Sequence, residues 1–261
     1  MWKYSYKVPE NKKIRLIIHT DCKNEADDQY ALAHHLMTPR FEVEGIVAGH
    51  FCGNPRQYKE YGTARASFDE IEKVLELMGI RGKYPVLLGA EKALEGEERP
   101  EDSEGARFII RQAMKEDDRP LYIACQGSVT DIASALLLEP EIARKIVVIW
   151  VGGGAYPEGG FEFNLAMDIH AANVLFSSQA EVWQISMDVY KMFAVSLTDL
   201  QLKVKPCGEI GEYLFWELTE VNEMAAKDNR VWPHGEIWGL GDQASIAVLM
   251  EELERKSYDL I

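Results

Sequence analysis

The sequence predicts an α/β fold, an open and mostly parallel sheet flanked by helices. Three observations predict it. Short apolar runs of strand length alternate with helical patterns along most of the chain. Carboxylates gather just past the ends of those runs, where an α/β sheet borders its ligand crevice. The 261 residues, 47% of them hydrophobic, are enough to bury a sizeable core. No repeat, low-complexity tract or composition break divides them, so residues 1–261 are read as one domain.

The first strand is Arg15–His19, because Leu16, Ile17 and Ile18 form a short apolar run. An acidic stretch follows, and acidic residues favour a helix start, so Gln29–Met37 is the first helix. Val43–Ala48 and Pro85–Leu88 read as strands, with a helix over Thr63–Met78 between them. Helix Gly105–Lys115, strand Leu121–Cys125, helix Val129–Leu138 and strand Ile146–Val151 continue the alternation. Helix Ile169–Ser177 and strand Val182–Met187 complete six strands. Beyond them, Glu212–Met224 is helical, with Tyr213, Leu214, Phe215, Trp216 and Leu218 apolar, and a last helix runs from Asp242 to Arg255. Glu95–Glu104 is charged and aperiodic, so it reads as a surface loop, either mobile over a site or a solvated linker.

The net charge of −15 and pI of about 4.9 disfavour nucleic acid and anionic membranes, because no basic field draws such partners in. A small neutral ligand or a cation suits this field. Cys22, Cys52, Cys125 and Cys207 are far apart, which argues against a zinc knuckle or a disulfide framework. The N-terminal residues carry no apolar leader core and no run of 18 apolar residues occurs, so a soluble, cytoplasmic protein is expected.

The segment His19-Thr20-Asp21-Cys22-Lys23-Asn24-Glu25-Ala26-Asp27-Asp28 is the richest in chemistry. Asp21, Asp27 and Asp28 would converge between strand and helix. Two carboxylates about 4 Å apart repel by roughly 4 kcal/mol at an effective dielectric near 20. They persist with a cation, a shared proton, intervening solvent or a helix N-terminus. Hard oxygen ligands suit Ca²⁺ or Mg²⁺ rather than zinc; the plainer alternative is that Asp27 caps the helix. Further on, Gly127-Ser128-Val129-Thr130 opens a helix and exposes backbone groups, although Ser128 or Thr130 could simply cap it. Gly152-Gly153-Gly154 permits a tight turn but is not a dinucleotide fingerprint. Glu162 and Asn164, two apart in a loop, could reach polyol hydroxyls. Asp242 sits before the last helix as Asp28 sits before the first, and Asp188 is a further acidic group near a strand end.

Together these segments resemble the nucleoside hydrolase family of the inosine–uridine-preferring type. The counterparts are Asp21 with Asp27-Asp28, Gly127-Ser128-Val129-Thr130-Asp131, Gly152-Gly153, Glu162-Phe163-Asn164 and Gly241-Asp242, in order over residues 15–253. The wider spacing between Asp21 and Asp27 is similar to a divergent, nucleoside-hydrolase-like branch. The resemblance implies a Rossmann-like sheet and hydrolysis of the N-glycosidic bond of a nucleoside or related N-riboside. It implies Ca²⁺ held by Asp21, Asp28, the Thr130 carbonyl and Asp242. It also implies that Asp27, Glu162, Asn164 and Asp242 grip ribose hydroxyls, while Asp21 is general base on a calcium-bound water. A homo-oligomer, dimer or tetramer, is expected by analogy.

The chain departs from the family pattern at four places. Cys22-Lys23-Asn24-Glu25 replaces a shorter Pro-Gly connection; His19 stands where the family has its first Asp; His50 stands where it often has Asn, with Asn54 nearby; and Gly241 replaces the His that protonates the leaving base in some members. Losing a general acid costs about 10²–10⁴ in rate. Replacement acids within the sequence are His50, His234, Glu236 and Trp238, and His234 is taken as the candidate beside Asp21. Two competing readings remain. One is a hydrolase of another glycoside, with Glu25 or Glu162 as acid opposite Asp21. The other is a non-catalytic, metal-dependent ribose- or nucleoside-binding protein. An aspartyl-phosphate chemistry at Asp21 lacks the second Asp two residues on.

Overall fold

The computed structural model describes residues 4–52, 62–227 and 235–251. Its centre is a six-stranded, all-parallel sheet in the order β3-β2-β1-β4-β5-β6. The strands are β1 (Ile14–Thr20), β2 (Phe41–Ala48), β3 (Val86–Leu88), β4 (Leu121–Cys125), β5 (Ile146–Val151) and β6 (Glu181–Ile185). Between them run α1 (Asp28–Met37), α2 (Thr63–Leu77), α3 (Glu104–Ala113), α4 (Thr130–Leu138), α5 (Phe163–Met167) and α6 (Ile169–Ser177). After β6 come α7 (Met187–Tyr190), β7 (Ala194–Ser196), α8 (Leu197–Lys203), α9 (Gly208–Lys227), β8 (Ile237–Gly239) and α10 (Gln243–Met250). The predicted α/β class and the six parallel strands are present.

The alternation of side chains along β1 explains the layers. Ile17 packs on one face with α3, α4 and α6, through Phe108, Ile109, Ile132 and Leu175. Leu16 and Ile18 point to the other face, against Leu32 of α1, Ile71 and Leu75 of α2 and Ile246 of α10. A strand buried on both faces needs apolar residues at every position, which is why these strands read as continuous runs. Truncating one such residue, Ile17 or Ile123, to Ala should cost about 2–5 kcal/mol. A third cluster joins Ala26 and Tyr30 to Leu214, Leu218 and Trp238, so α9 and β8 close over the first loop.

Several predicted boundaries move. The sixth strand ends at Ile185 because Met187 opens the short helix α7. The antiparallel pair β7–β8 and helix α8 were not expected; they are short, and β7 finds its partner across the length of α9. Helix α9 starts at Gly208, as Ile210 already packs inward. Glu162-Phe163-Asn164 is not an open loop: Glu162 caps the helix α5, accepting from Leu165 N. The charged stretch 95–104 is tethered, with Glu101 N donating to Ser134 Oγ and Ser103 capping α3. The predicted end of the last helix lies outside the described residues. Cys22 and Cys125 are buried, Cys52 and Cys207 exposed, and all are free thiols.

Candidate active site

From β1 the chain steps outward to β2 and β3, then returns to β4 on the other side of β1. The loops after β1 and β4 therefore diverge and leave a crevice at their carboxyl ends. Register puts His19 beside Cys125, and extending the pairing brings Asp21 level with Gly127. A Cβ on Gly127 would lie 2.9 Å from Asp21 Cγ, so only glycine lets the two loops meet this closely.

Asp21, Asp27, Asp28 and Asp242 all line the resulting cavity, with Glu162 and Asn164. Its volume is about 70 Å³. One carboxylate oxygen from each of Asp27, Asp28 and Asp242 lies within 4.8 Å of the others. Asp21 lines the same cavity as this trio, and the charge of Asp28 bears on its carboxyl. Asp21 Oδ2 accepts from Asn24 Nδ2 at 3.0 Å, and Asp28 Oδ1 accepts from Thr20 Oγ1. Asp27 occupies the cap position of α1 but makes no capping bond there; it accepts from Asp242 N at 3.3 Å, tying α1 to α10. Burial first, and Asp27 second, push Asp28 up to about 7; burial and the neighbouring carboxylates also raise Asp21 and Asp242, and burial raises Asp27. Four such groups favour a bound cation or shared protons.

Glu162 is almost wholly buried, and Oε2 accepts from Gly153 N at 2.7 Å and Leu165 N at 2.9 Å. Asn164 lines the cavity while its Nδ2 donates to Val151 O at 2.7 Å, anchoring it to the end of β5. Gln126 also lines the cavity; its Nε2 donates to Ser245 Oγ, and its buried Oε1 has no hydrogen-bond partner among the described residues. A larger cavity of about 630 Å³ adjoins the first through Glu25, Asp27, Glu162, Phe163, Tyr190 and Gly241, which border both. Its outer wall is apolar, from Phe161, Met187, Ile237 and Trp238.

Not every predicted residue faces this crevice. Thr130 opens α4, with its hydroxyl donating to Asp168 Oδ2 at 2.7 Å. His50 is buried behind it, with Nε2 2.8 Å from Thr130 Oγ1 and 3.1 Å from Ser128 Oγ, and burial lowers its pKa. Asp168 caps α6 and holds Leu94 N, a structural role. Asp188 is exposed and bonded to Ser186. His19 pairs with Asp131 at 2.9 Å in the core, so it lies off the crevice. Asn54 and His234 lie outside the described residues. Two residues at the site carried no mark in the sequence. Tyr190 belongs to a four-residue helix and reaches Glu162 only through folding. Gln126 directly precedes a marked turn but is an ordinary polar residue by type.

Comparison with known proteins bears on the family and the fold. Residues 16–260 match the family described as inosine-uridine preferring nucleoside hydrolase. The chain is 28% identical to the pyrimidine-specific ribonucleoside hydrolase RihA of Citrobacter koseri over 194 residues, 65% of this chain. That stretch is 59% of the Citrobacter protein, so the chain spans about three fifths of that relative. Among solved structures, the purine-preferring ribonucleoside hydrolase from Gardnerella vaginalis is similar, with a TM-score of 0.68 and 23% identity, covering 90% of this chain and 79% of that one. A plant nucleoside hydrolase is similar at a TM-score of 0.67 and 17% identity, covering 90% and 78%. These two likenesses concern the fold. With the match running from β1 past α10, the chain belongs to the inosine–uridine-preferring nucleoside hydrolase family.

Proposed function

We propose that the chain is a calcium-dependent hydrolase that cleaves the N-glycosidic bond of a nucleoside or related N-riboside. The convergence of Asp21, Asp27, Asp28 and Asp242, beside Glu162 and Asn164 at the carboxyl edge of the sheet, carries this reading. The donor set fits a hard divalent cation: carboxylates whose protonation is raised by burial, and on the same wall the Oε1 of Gln126, which has no hydrogen-bond partner among the described residues. In this reading Asp21, Asp28 and Asp242 would hold the ion, with Asp27 at its border, while Thr130, the fourth ligand the resemblance implies, does not line this cavity. When bound, Ca²⁺ supplies positive charge that keeps the carboxylates ionised and acidifies water.

Asp21 takes a proton from the attacking water as that oxygen bonds to C1′ and the C1′–N bond breaks. Asp27, Glu162, Asn164 and Asp242 hold the ribose hydroxyls and fix the ring. The negative charge of Asp27, Glu162 and Asp242 stabilises the oxocarbenium character that develops at C1′. His50 braces the Thr130 turn from behind. The leaving base departs towards the larger, apolar-walled cavity and takes up a proton from water or from His234, the expected acid.

Ribose release from inosine and uridine, assayed with Ca²⁺ and after chelation, tests the reading. Ca²⁺-dependent release that Asp21→Ala abolishes supports it. D-ribose binding with no release from any riboside overturns it in favour of a non-catalytic sugar-binding protein.

A further inference from the structure

We propose that Tyr190 is the positioning residue for Glu162, and that it acts from space which a side chain at position 241 would otherwise need. The inference rests on the riboside reading and deepens it. Tyr190 Oη donates to Glu162 Oε1 at 2.9 Å. Oε2 is already held by Gly153 N and Leu165 N. A carboxylate offers about four acceptor positions, so these three donors leave about one, on Oε1. The phenol thereby fixes the oxygen that has capacity for a sugar hydroxyl.

The ring is constrained as closely as the hydroxyl. A Cβ at Gly241 would lie 3.0 Å from Tyr190 Cδ2 and 3.6 Å from Asp27 Oδ2. Tyr190 and Gly241 are thus a matched pair: a large side chain at one requires none at the other. Both border the passage between the carboxylate cavity and the larger cavity, where a ribose and its leaving group would meet. Because Tyr190 works through Glu162 on the ribose side, its contribution is the same whatever group leaves.

Tyr190→Phe keeps the ring and removes the hydroxyl. Three readouts apply: D-ribose affinity by calorimetry with Ca²⁺, kcat and KM on inosine, uridine and p-nitrophenyl β-D-ribofuranoside, and the thermal midpoint. Losing one hydrogen bond to a charged group predicts ribose binding about 10- to 100-fold weaker. The kcat/KM should fall by a similar factor on all three ribosides, with the thermal midpoint lowered only by the cost of that one bond. A loss confined to inosine and uridine would assign the phenol to the leaving group and overturn the proposal. So would unchanged ribose affinity, or no ribose affinity in either protein. Gly241→Leu should lower the thermal midpoint, and adding Tyr190→Ala should restore part of it; strictly additive losses would refute the matched pair. If the wild type binds ribose but cleaves no riboside, the hydrolase reading fails, while ribose affinity and the paired variants still decide the role of Tyr190.

Discussion

Lys23 offers a sharp test of how the acidic loop is held. It has φ of 122°, an unusual backbone conformation for a residue with a side chain. Its Nζ lies 2.8 Å from Glu217 Oε1 of α9 and 3.0 Å from Glu70 Oε2 of α2. Glu217 is fully buried and Glu70 is 4% exposed. At about 3 Å and an effective dielectric near 20, each contact carries roughly 5–6 kcal/mol of gross attraction. Desolvation offsets much of that, but removing the cation alone takes the opposing charge from two buried carboxylates, of which Glu70 keeps hydrogen bonds from Tyr213 Oη and Gln29 Nε2. Lys23→Met should therefore cost about 3–5 kcal/mol of unfolding free energy. Lys23→Gly loses the same pairing but relieves about 1–3 kcal/mol of backbone strain. It adds about 0.5–1 kcal/mol of chain entropy, so it should be the milder change. Urea unfolding followed by tryptophan fluorescence measures both variants. Because Lys23 lies between Asp21 and Asp27, Ca²⁺ affinity should fall with it. A Lys23→Met protein within about 0.5 kcal/mol of wild type, the range of ordinary surface changes, would refute the argument; so would a Lys23→Gly protein less stable than Lys23→Met.

Asp21→Ala should lower riboside turnover by about 10²–10⁴ with the fold retained; steady-state rates beside circular dichroism check this, and wild-type turnover would remove the base assignment. If Asp27 grips the 2′-hydroxyl, 2′-deoxyribosides should be cleaved far more slowly than ribosides, and equal rates would contradict that contact. Asp28→Ala and Asp242→Ala should each reduce Ca²⁺ content by elemental analysis, and full occupancy in both would exclude them as ligands. The pH dependence follows from Asp28, raised from 3.8 to about 7 by burial and then Asp27. Without the ion, the folded state retains a proton that the unfolded chain releases above its ordinary value. Stability thus falls as pH rises through that window, by up to about 1.4 kcal/mol per pH unit for one group. Ca²⁺ should accordingly raise the thermal midpoint more at pH 8 than at pH 5, and the opposite order in a scan with chelator would refute it.

Much of the fold was legible because it is written locally. Leu16-Ile17-Ile18 and Ile146–Val151 are continuous apolar runs, as a strand covered on both faces must be. Much of the candidate site was legible for the same reason: Asp21, Asp27 and Asp28 lie within eight residues, and Glu162 and Asn164 are two apart. The elements after β6 were not. β7 and β8 are three residues each and pair across the whole of α9, so neither carries a period of its own. His50 has the residue type of a ligand, yet its ring is spent on Thr130 and Ser128, which only packing decides.

The sequence by itself determined the family, the parallel α/β sheet and the set of carboxylates at its strand ends, because strand periodicity and short motifs are properties of neighbouring residues. Tertiary structure alone decided which groups touch. It joined Asp27 to Asp242 across 215 positions, Lys23 to Glu217 across 194 and Tyr190 to Glu162 across 28. It also set the ring of Tyr190 against Gly241. The physical reason is that the strand order reverses between β1 and β4, so residues far apart in the chain meet at one crevice. What they do there depends on distances and burial that no local pattern encodes.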